Sequence, residues 1–577
     1  MGHNLLKLGL LICSYWGYWE FFRTKCKINI YFTPLFTVAC QFVFLFLAGI
    51  LNYLKEATVL TWLVGLVLLI WFLRKKKLEI IKPYLTGGYL FFAVMFVAVM
   101  LYTNDRTFSQ IDNFTHWATV VKNMLGSDRF PNSLDTAVEF TSYPLGSSVI
   151  IYYITTMTSS SEHMQMVAQT FMMLCALLPI FVFAKKHIVV STLLITMMAG
   201  FLFQYNIPVT ELLVDTLLPL AGMATITFAY YQCVIGEDGK KLPVYYTLPV
   251  MLWTMNIKHA ALLYVIETFI LLCIATEKEK ESRKLLLYSG LVMLAARSLW
   301  NRHCSYIDPD VSTSQHTLSV DWFSRIVGEK TAEDIIGITQ EFLEYVITRR
   351  ELLWILAWML LLSVLAWILD SKWKKVSLRF VICGVSLYVI YAIGLLGMYV
   401  FSMPVTEGLM AVDRYMKSGD VAIYYLILTF AVAILAETEG RGLFAVASVT
   451  LLAFNAVGWR FQMNEYRNTS WIACTAEQRQ RWEAPIAEYG MVKRKSYLLC
   501  IREEDDEKKC RFPEYVWQYN VESSAVAQII VTDESQLENE EKYDYVVIFD
   551  EDNPVIQKWV RENYPDKIGS QVIQHFH

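Results

Sequence analysis

Long apolar runs broken by short polar clusters recur from the N-terminus to about residue 460. Window hydropathy places about fourteen crossings, at 5–22, 33–53, 57–73, 84–102, 163–184, 188–205, 213–233, 243–257, 260–276, 284–300, 352–369, 378–400, 419–436 and 441–459. A shorter run, 145–157, is too brief to cross and predicts a re-entrant or interfacial segment. Beyond residue 460 the pattern changes. Charged stretches alternate with short β-rich runs at 497–501, 528–531 and 543–549, and a helical pattern follows at 554–563. The expected organisation is a polytopic, mostly α transmembrane domain over 1–460 and a small α/β domain over 461–577.

Composition agrees. Of 577 residues, 55% are hydrophobic and 18% charged, and mean hydropathy is +0.38, less charge than a soluble chain of this length carries. A net charge of −4 argues against a nucleic-acid partner. The first apolar run lacks a small-residue cleavage site and reads as a retained helix. Most of the eleven cysteines sit in apolar runs, and none falls in a metal-binding spacing. Basic clusters at 23–27, 74–77, 185–186, 240–241, 278–284 and 372–375 all fall on one side of these crossings, read as cytoplasmic. Arg349 and Arg350 dissent. The opposite, extracytoplasmic face then holds 103–143, 206–212, 256–259, 301–351, 401–418 and the C-terminal domain. Cys500 and Cys510 would be able to pair there if the compartment is oxidising.

Candidate chemistry gathers on that face. Asp112 precedes Asn113-Phe114-Thr115-His116-Trp117, just after an apolar run. Phe114, Trp117, Val121, Met124 and Leu125 recur at helical spacing, predicting a short amphipathic helix on the membrane surface that stops at Gly126. Asp112 reads as a helix N-cap, as an acid placed for chemistry at the bilayer edge, or as both. His116 lies off the apolar stripe and is a substrate-binding candidate. Tyr143-Pro144-Leu145-Gly146 shapes a loop at the membrane boundary. Glu211 and Asp215 share a helix face, with Asp215 at membrane depth. They are functional acids or simply acids favoured by a helix N-terminus. Lys258 interrupts an apolar region, where it would hold a phosphate or snorkel. Arg297 and Arg302 end a later helix. Arg414 follows Asp413, a fork for phosphate or half of a surface pair.

Acids and cations on one face suit an anionic, lipid-linked substrate. In this arrangement the chain resembles the GT-C-type membrane glycosyltransferases, a superfamily that includes protein O-mannosyltransferases and bacterial aminoarabinose transferases. Asp112 with 114–125 resembles their first external loop, and Tyr143-Pro144-Leu145 their aromatic-proline segment, short of one proline. Glu211 to Asp215 resembles their second acidic loop, Lys258 their lysine at a helix end, and Arg414-Tyr415 their Arg-Tyr pair. The extra N-terminal helices and the 301–351 loop depart from it. The resemblance implies transfer of a sugar from a polyprenyl-phosphate donor to an envelope glycan, lipid or protein. Asp112 would be the base, alone or with a divalent cation, and Lys258, Arg302 and Arg414 would hold the leaving phosphate. A transporter or flippase predicts a pseudo-symmetric chain, and no internal repeat is visible. A glycan polymerase or ligase would share the donor and differ in product length.

Overall fold

The computed structural model describes residues 2–307, 320–440, 442–450, 473–506 and 509–575. The first helices are α1 (Gly2–Thr24), α2 (Thr33–Ile50), α3 (Leu54–Lys76), α4 (Gly87–Thr103), α5 (Ala118–Ser127) and α6 (Ser148–Met157). Then follow α7 (Glu162–Leu177), α8 (Ile188–Tyr205), α9 (Leu217–Phe228), α10 (Leu248–Met255), α11 (Leu262–Ala275) and α12 (Lys280–Ile307). The series continues with α13 (Val320–Gly328), α14 (Ala332–Thr348), α15 (Arg350–Leu369), α16 (Trp373–Phe401) and α17 (Val412–Leu435).

The protein is a polytopic α protein with a small α/β domain. Among the described residues, eight helical segments, built on α2, α3, α7, α8, α9, α15, α16 and α17, are long and apolar enough to cross a membrane. The runs expected at 84–102 and 260–276 form apolar helices that are shorter. Those at 5–22 and 284–300 lie in α1 and α12, which are long but too polar to meet the same measure. The run at 243–257 is divided between a 3-10 turn and the eight-residue α10, because Pro249 opens that helix and a turn at Asn256 ends it. The run at 441–459 extends beyond the described residues.

The described chain forms two compact units. One takes in 1–106, 142–210 and 214–467, and the other 107–141, 211–213 and 468–577.

In the first unit, α7, α9 and α17 are buried on nearly every side. The helices around them turn apolar side chains outward, among them Val67 on α3, Leu353 on α15 and Ile393 on α16. Water would penalise such a surface, whereas hydrocarbon accepts it. The run expected to be re-entrant or interfacial becomes α6, whose Val149 to Tyr153 are fully buried among α1, α2, α3 and α7. It is an internal strut.

Helices α1 and α3 meet through glycines. A Cβ on Gly17 would lie 2.0 Å from the Gly65 carbonyl oxygen. Small residues let helix backbones approach this closely. Gly17→Leu is expected to cost about 1–3 kcal/mol through overpacking, read as a lowered unfolding temperature in detergent.

The dissent of Arg349 is explained here. Its guanidinium is buried and pairs with Asp420 at 2.6 Å, and Tyr205 donates to the same carboxylate at 2.8 Å. A paired, internal arginine is not a free loop charge and does not report orientation.

The second unit carries a sheet of β1 (Tyr497–Cys500), β2 (Val526–Ile529), β3 (Tyr545–Ile548) and β4 (Val572–Gln574), in the order β2-β1-β3-β4. The first three strands run parallel, and β4 pairs antiparallel at the edge. β1 and β3 are buried throughout, as central parallel strands must be. The helix Pro554–Asn563 forms as its pattern predicts, and it packs Ile556 and Trp559 on the sheet. Cys500 lies in the sheet core and is not bonded to Cys510.

Candidate functional site

In the first unit, three loops bring the candidate side chains together. The first is 142–146. Gly146 donates to the Asn256 carbonyl at 2.6 Å, and a Cβ there would sit 2.4 Å from that oxygen, so only glycine fits. Trp253 donates its indole N–H to the Gly146 carbonyl, and Trp300 donates to Ser142. These bonds lock Tyr143 against the 256–259 turn, where its ring stacks on His259 at 5.8 Å.

The second loop leads into α9. Asn206 bridges to the carbonyls of Asp215 and Arg414 and to the Ser418 hydroxyl, which ties this loop to the start of α17. The third is the turn at Lys258. Its Nζ donates to Asp215 Oδ1 at 2.8 Å and lies 4.7 Å from the Tyr415 ring centre. Arg414 Nε stands 4.0 Å from the other oxygen of Asp215. Tyr391 holds the Tyr415 carbonyl at 2.8 Å.

Asp215 therefore serves two cations. Burial works against its charge, yet Lys258 and then Arg414 outweigh burial and hold the carboxyl below its usual range. Burial likewise opposes the Lys258 charge, and Asp215 overrides it, holding the ammonium above its usual range. Burial pushes the Tyr143 hydroxyl up to about 12, so it remains a neutral donor. Two cations therefore flank Asp215, and cations so placed are the groups that would face a phosphate.

The signs set the pH behaviour. The Asp215 contribution to stability is present above the unfolded carboxyl pKa, about 3.9, and disappears as pH falls through the lowered folded value. The Lys258 contribution is present below about 10.4 and disappears as pH rises through the raised folded value. The pair therefore does not titrate near neutrality. Affinity for a phosphate ligand above its own second ionisation is expected to stay flat from about pH 7 to 9, measured by titration at fixed ionic strength.

Arg302 is not part of this group. It is exposed, and its side chain makes no hydrogen bond or ion pair with another described residue. Arg297, on another face of α12, reaches His259 instead, at 3.1 Å. Asp413 turns away from Arg414 and binds Lys417 and Tyr345.

The other candidates belong to the second unit. Asp112 begins the helical turn but makes no capping bond with its side chain. The turn is a π-helix, Asn113–Trp117, and α5 continues past Gly126 until Asp128 adopts a left-handed conformation. The carboxyl of Glu139 is raised, first by burial and then by the charge of Asp112, so a second acid neighbours the first. The stripe expected on a membrane surface is covered by protein. Phe114, Val121 and Met124 are buried, and Phe114 packs on Tyr519 of the helix Phe512–Val521. His116 is also buried, against Trp117 and Phe140.

Glu211 is 3% exposed. It accepts from the Ser109 hydroxyl at 2.5 Å, the amides of Ser109 and Gln110, and the Asn113 side-chain amide. A carboxylate so committed organises the loop. Glu211→Ala leaves these buried donors without an acceptor, at about 1–3 kcal/mol for the first of them. The expected result is faster hydrogen exchange across 107–113.

Among the described residues, no cluster of three or more His, Cys, Asp or Glu is placed to hold a metal ion. No family model and no curated protein matches the sequence. Among solved structures, the fold is similar to the apo crystal structure of ArnT from Cupriavidus metallidurans. The TM-score is 0.37 and the identity 10%, over 83% of this chain and 95% of that one. A superposition that loose decides nothing about chemistry.

Proposed function

We propose that the protein is a membrane glycosyltransferase. It moves a sugar from a polyprenyl-phosphate donor to an envelope glycan, lipid or protein on the extracytoplasmic face. One observation carries this reading: Lys258 and Arg414 share Asp215 beside Tyr143 and Tyr415, where the apolar helices α9, α11 and α17 begin. Positive charge at the end of an apolar bundle suits a phosphate whose lipid chain stays in hydrocarbon.

In the proposed reaction the acceptor hydroxyl attacks the anomeric carbon and the sugar–phosphate C–O bond breaks. The bonding pair leaves on the phosphate oxygen, where Lys258 and Arg414 stabilise it. Asp112 takes the acceptor proton. Direct attack inverts the anomeric configuration.

The product polyprenyl monophosphate tests the cation assignment. Lys258→Gln and Arg414→Gln are each expected to weaken its binding about tenfold or more, the loss of one charged hydrogen bond. Unchanged affinity in both would remove the assignment.

A further inference from the structure

A groove of about 900 Å³ runs between α11 and α12. It extends from His259 to Glu277 along α11 and from Arg283 to Arg297 along α12. At 1.5 Å per residue the 14 residues of α11 are about 21 Å long, more than the half-thickness of about 15 Å that the chains of one lipid span. Phe269 and Gly290 line its middle, and the exposed Ile266 and Leu294 form its rims. The groove therefore opens sideways, where a bilayer would be.

One end is cationic. Arg297 is partly buried, donates to His259, and has no carboxylate partner among the described residues. A guanidinium against apolar walls with no counter-charge is costly, and an anion relieves the cost. This end is separate from the Asp215 cluster. Lys258 has extended backbone, φ −159° and ψ 156°. Neighbouring side chains in extended chain point opposite ways. Lys258 accordingly faces Asp215, whereas His259 lines the groove. Asp215, Lys258 and Arg414 do not line it.

We propose that this groove binds an anionic phospholipid, its acyl chains along Phe269 and Gly290 and its phosphate on Arg297 and His259. At the far end Arg283 stands beside Glu277, so the cation without a neighbouring acid is Arg297, and with the apolar wall and the lateral opening this fits a lipid with one phosphate. The site does not depend on the glycosyltransferase reading, because no group assigned to transfer lines it.

The test is native mass spectrometry of the full chain in neutral detergent, titrated with dioleoylphosphatidylglycerol, dioleoylglycerol or inorganic phosphate. The expected result is one phosphatidylglycerol bound at least about tenfold more tightly than either other probe, from a charged phosphate contact added to chain burial. Arg297→Gln is expected to lose that margin. Gly290→Leu fills the groove, since its Cβ would already touch Phe269 at 3.4 Å. It is expected to weaken the lipid by a similar factor without lowering the unfolding temperature. Lys258→Gln is expected to leave this lipid within twofold. The proposal is overturned if Arg297→Gln and Gly290→Leu bind like the native chain, if dioleoylglycerol binds equally well, or if Lys258→Gln alone abolishes binding.

Discussion

Replacing Asp215 with alanine is expected to cost about 3–5 kcal/mol, the penalty for stranding a buried charge whose partner is removed. The Lys258 side chain is 12% exposed and the Asp215 side chain 3% exposed, and their contact is 2.8 Å. Without the carboxylate, the ammonium must shed its proton or draw water inward, and Arg414 then repels it. Chemical unfolding in detergent reads the loss. The double variant Asp215→Leu/Lys258→Met removes both charges and keeps the volume. It is expected to recover most of the stability while losing phosphate affinity, because well-packed apolar pairs often match a buried ion pair. A change below 1 kcal/mol in Asp215→Ala would mean that the ammonium has another counter-charge.

Asp112→Asn is expected to lower sugar transfer by about a hundred- to ten-thousand-fold, the range for losing a general base. The fold should be unaffected. A capping role would give a stability loss of about 1 kcal/mol, but the Asp112 side chain makes no capping bond. The combination of collapsed turnover and an unchanged unfolding transition therefore separates catalysis from helix capping. A shared proton with Glu139 is excluded if Glu139→Gln leaves the pH profile unmoved. If Asp112→Asn turns over normally, another group is the base.

The membrane architecture was legible because hydropathy and length are local. The buried strands β1 and β3 were legible because short apolar runs at 497–501 and 543–549 stand among charged residues, but their parallel pairing was not. The edge strand Val572–Gln574 was not, since three residues carry too little periodicity. Lys258, Asp215 and Arg414 stood out because charge at the border of an apolar run is costly. That Asp215 bridges the two cations depends on contacts 43 and 199 residues apart, which no window can see. The surface helix misled for a related reason. An apolar stripe reports that it must be buried and not what buries it, and Tyr519 was four hundred residues away. Arg302 and Arg297 looked equivalent in sequence. Five residues on a helix turn the side chain by roughly 140°, enough to send one to solvent and the other to His259.

The most direct measurement follows the fate of the donor. Membranes carrying the native chain, supplied with a polyprenyl-phosphate sugar labelled in the sugar, are expected to release polyprenyl phosphate as label appears in a new envelope product. The Lys258→Gln/Arg414→Gln pair is expected to slow both together by about a hundredfold or more, the scale for losing electrostatic stabilisation of a developing anion. Label that stays on the donor with the native chain, or a double variant that transfers at the native rate, would contradict the account.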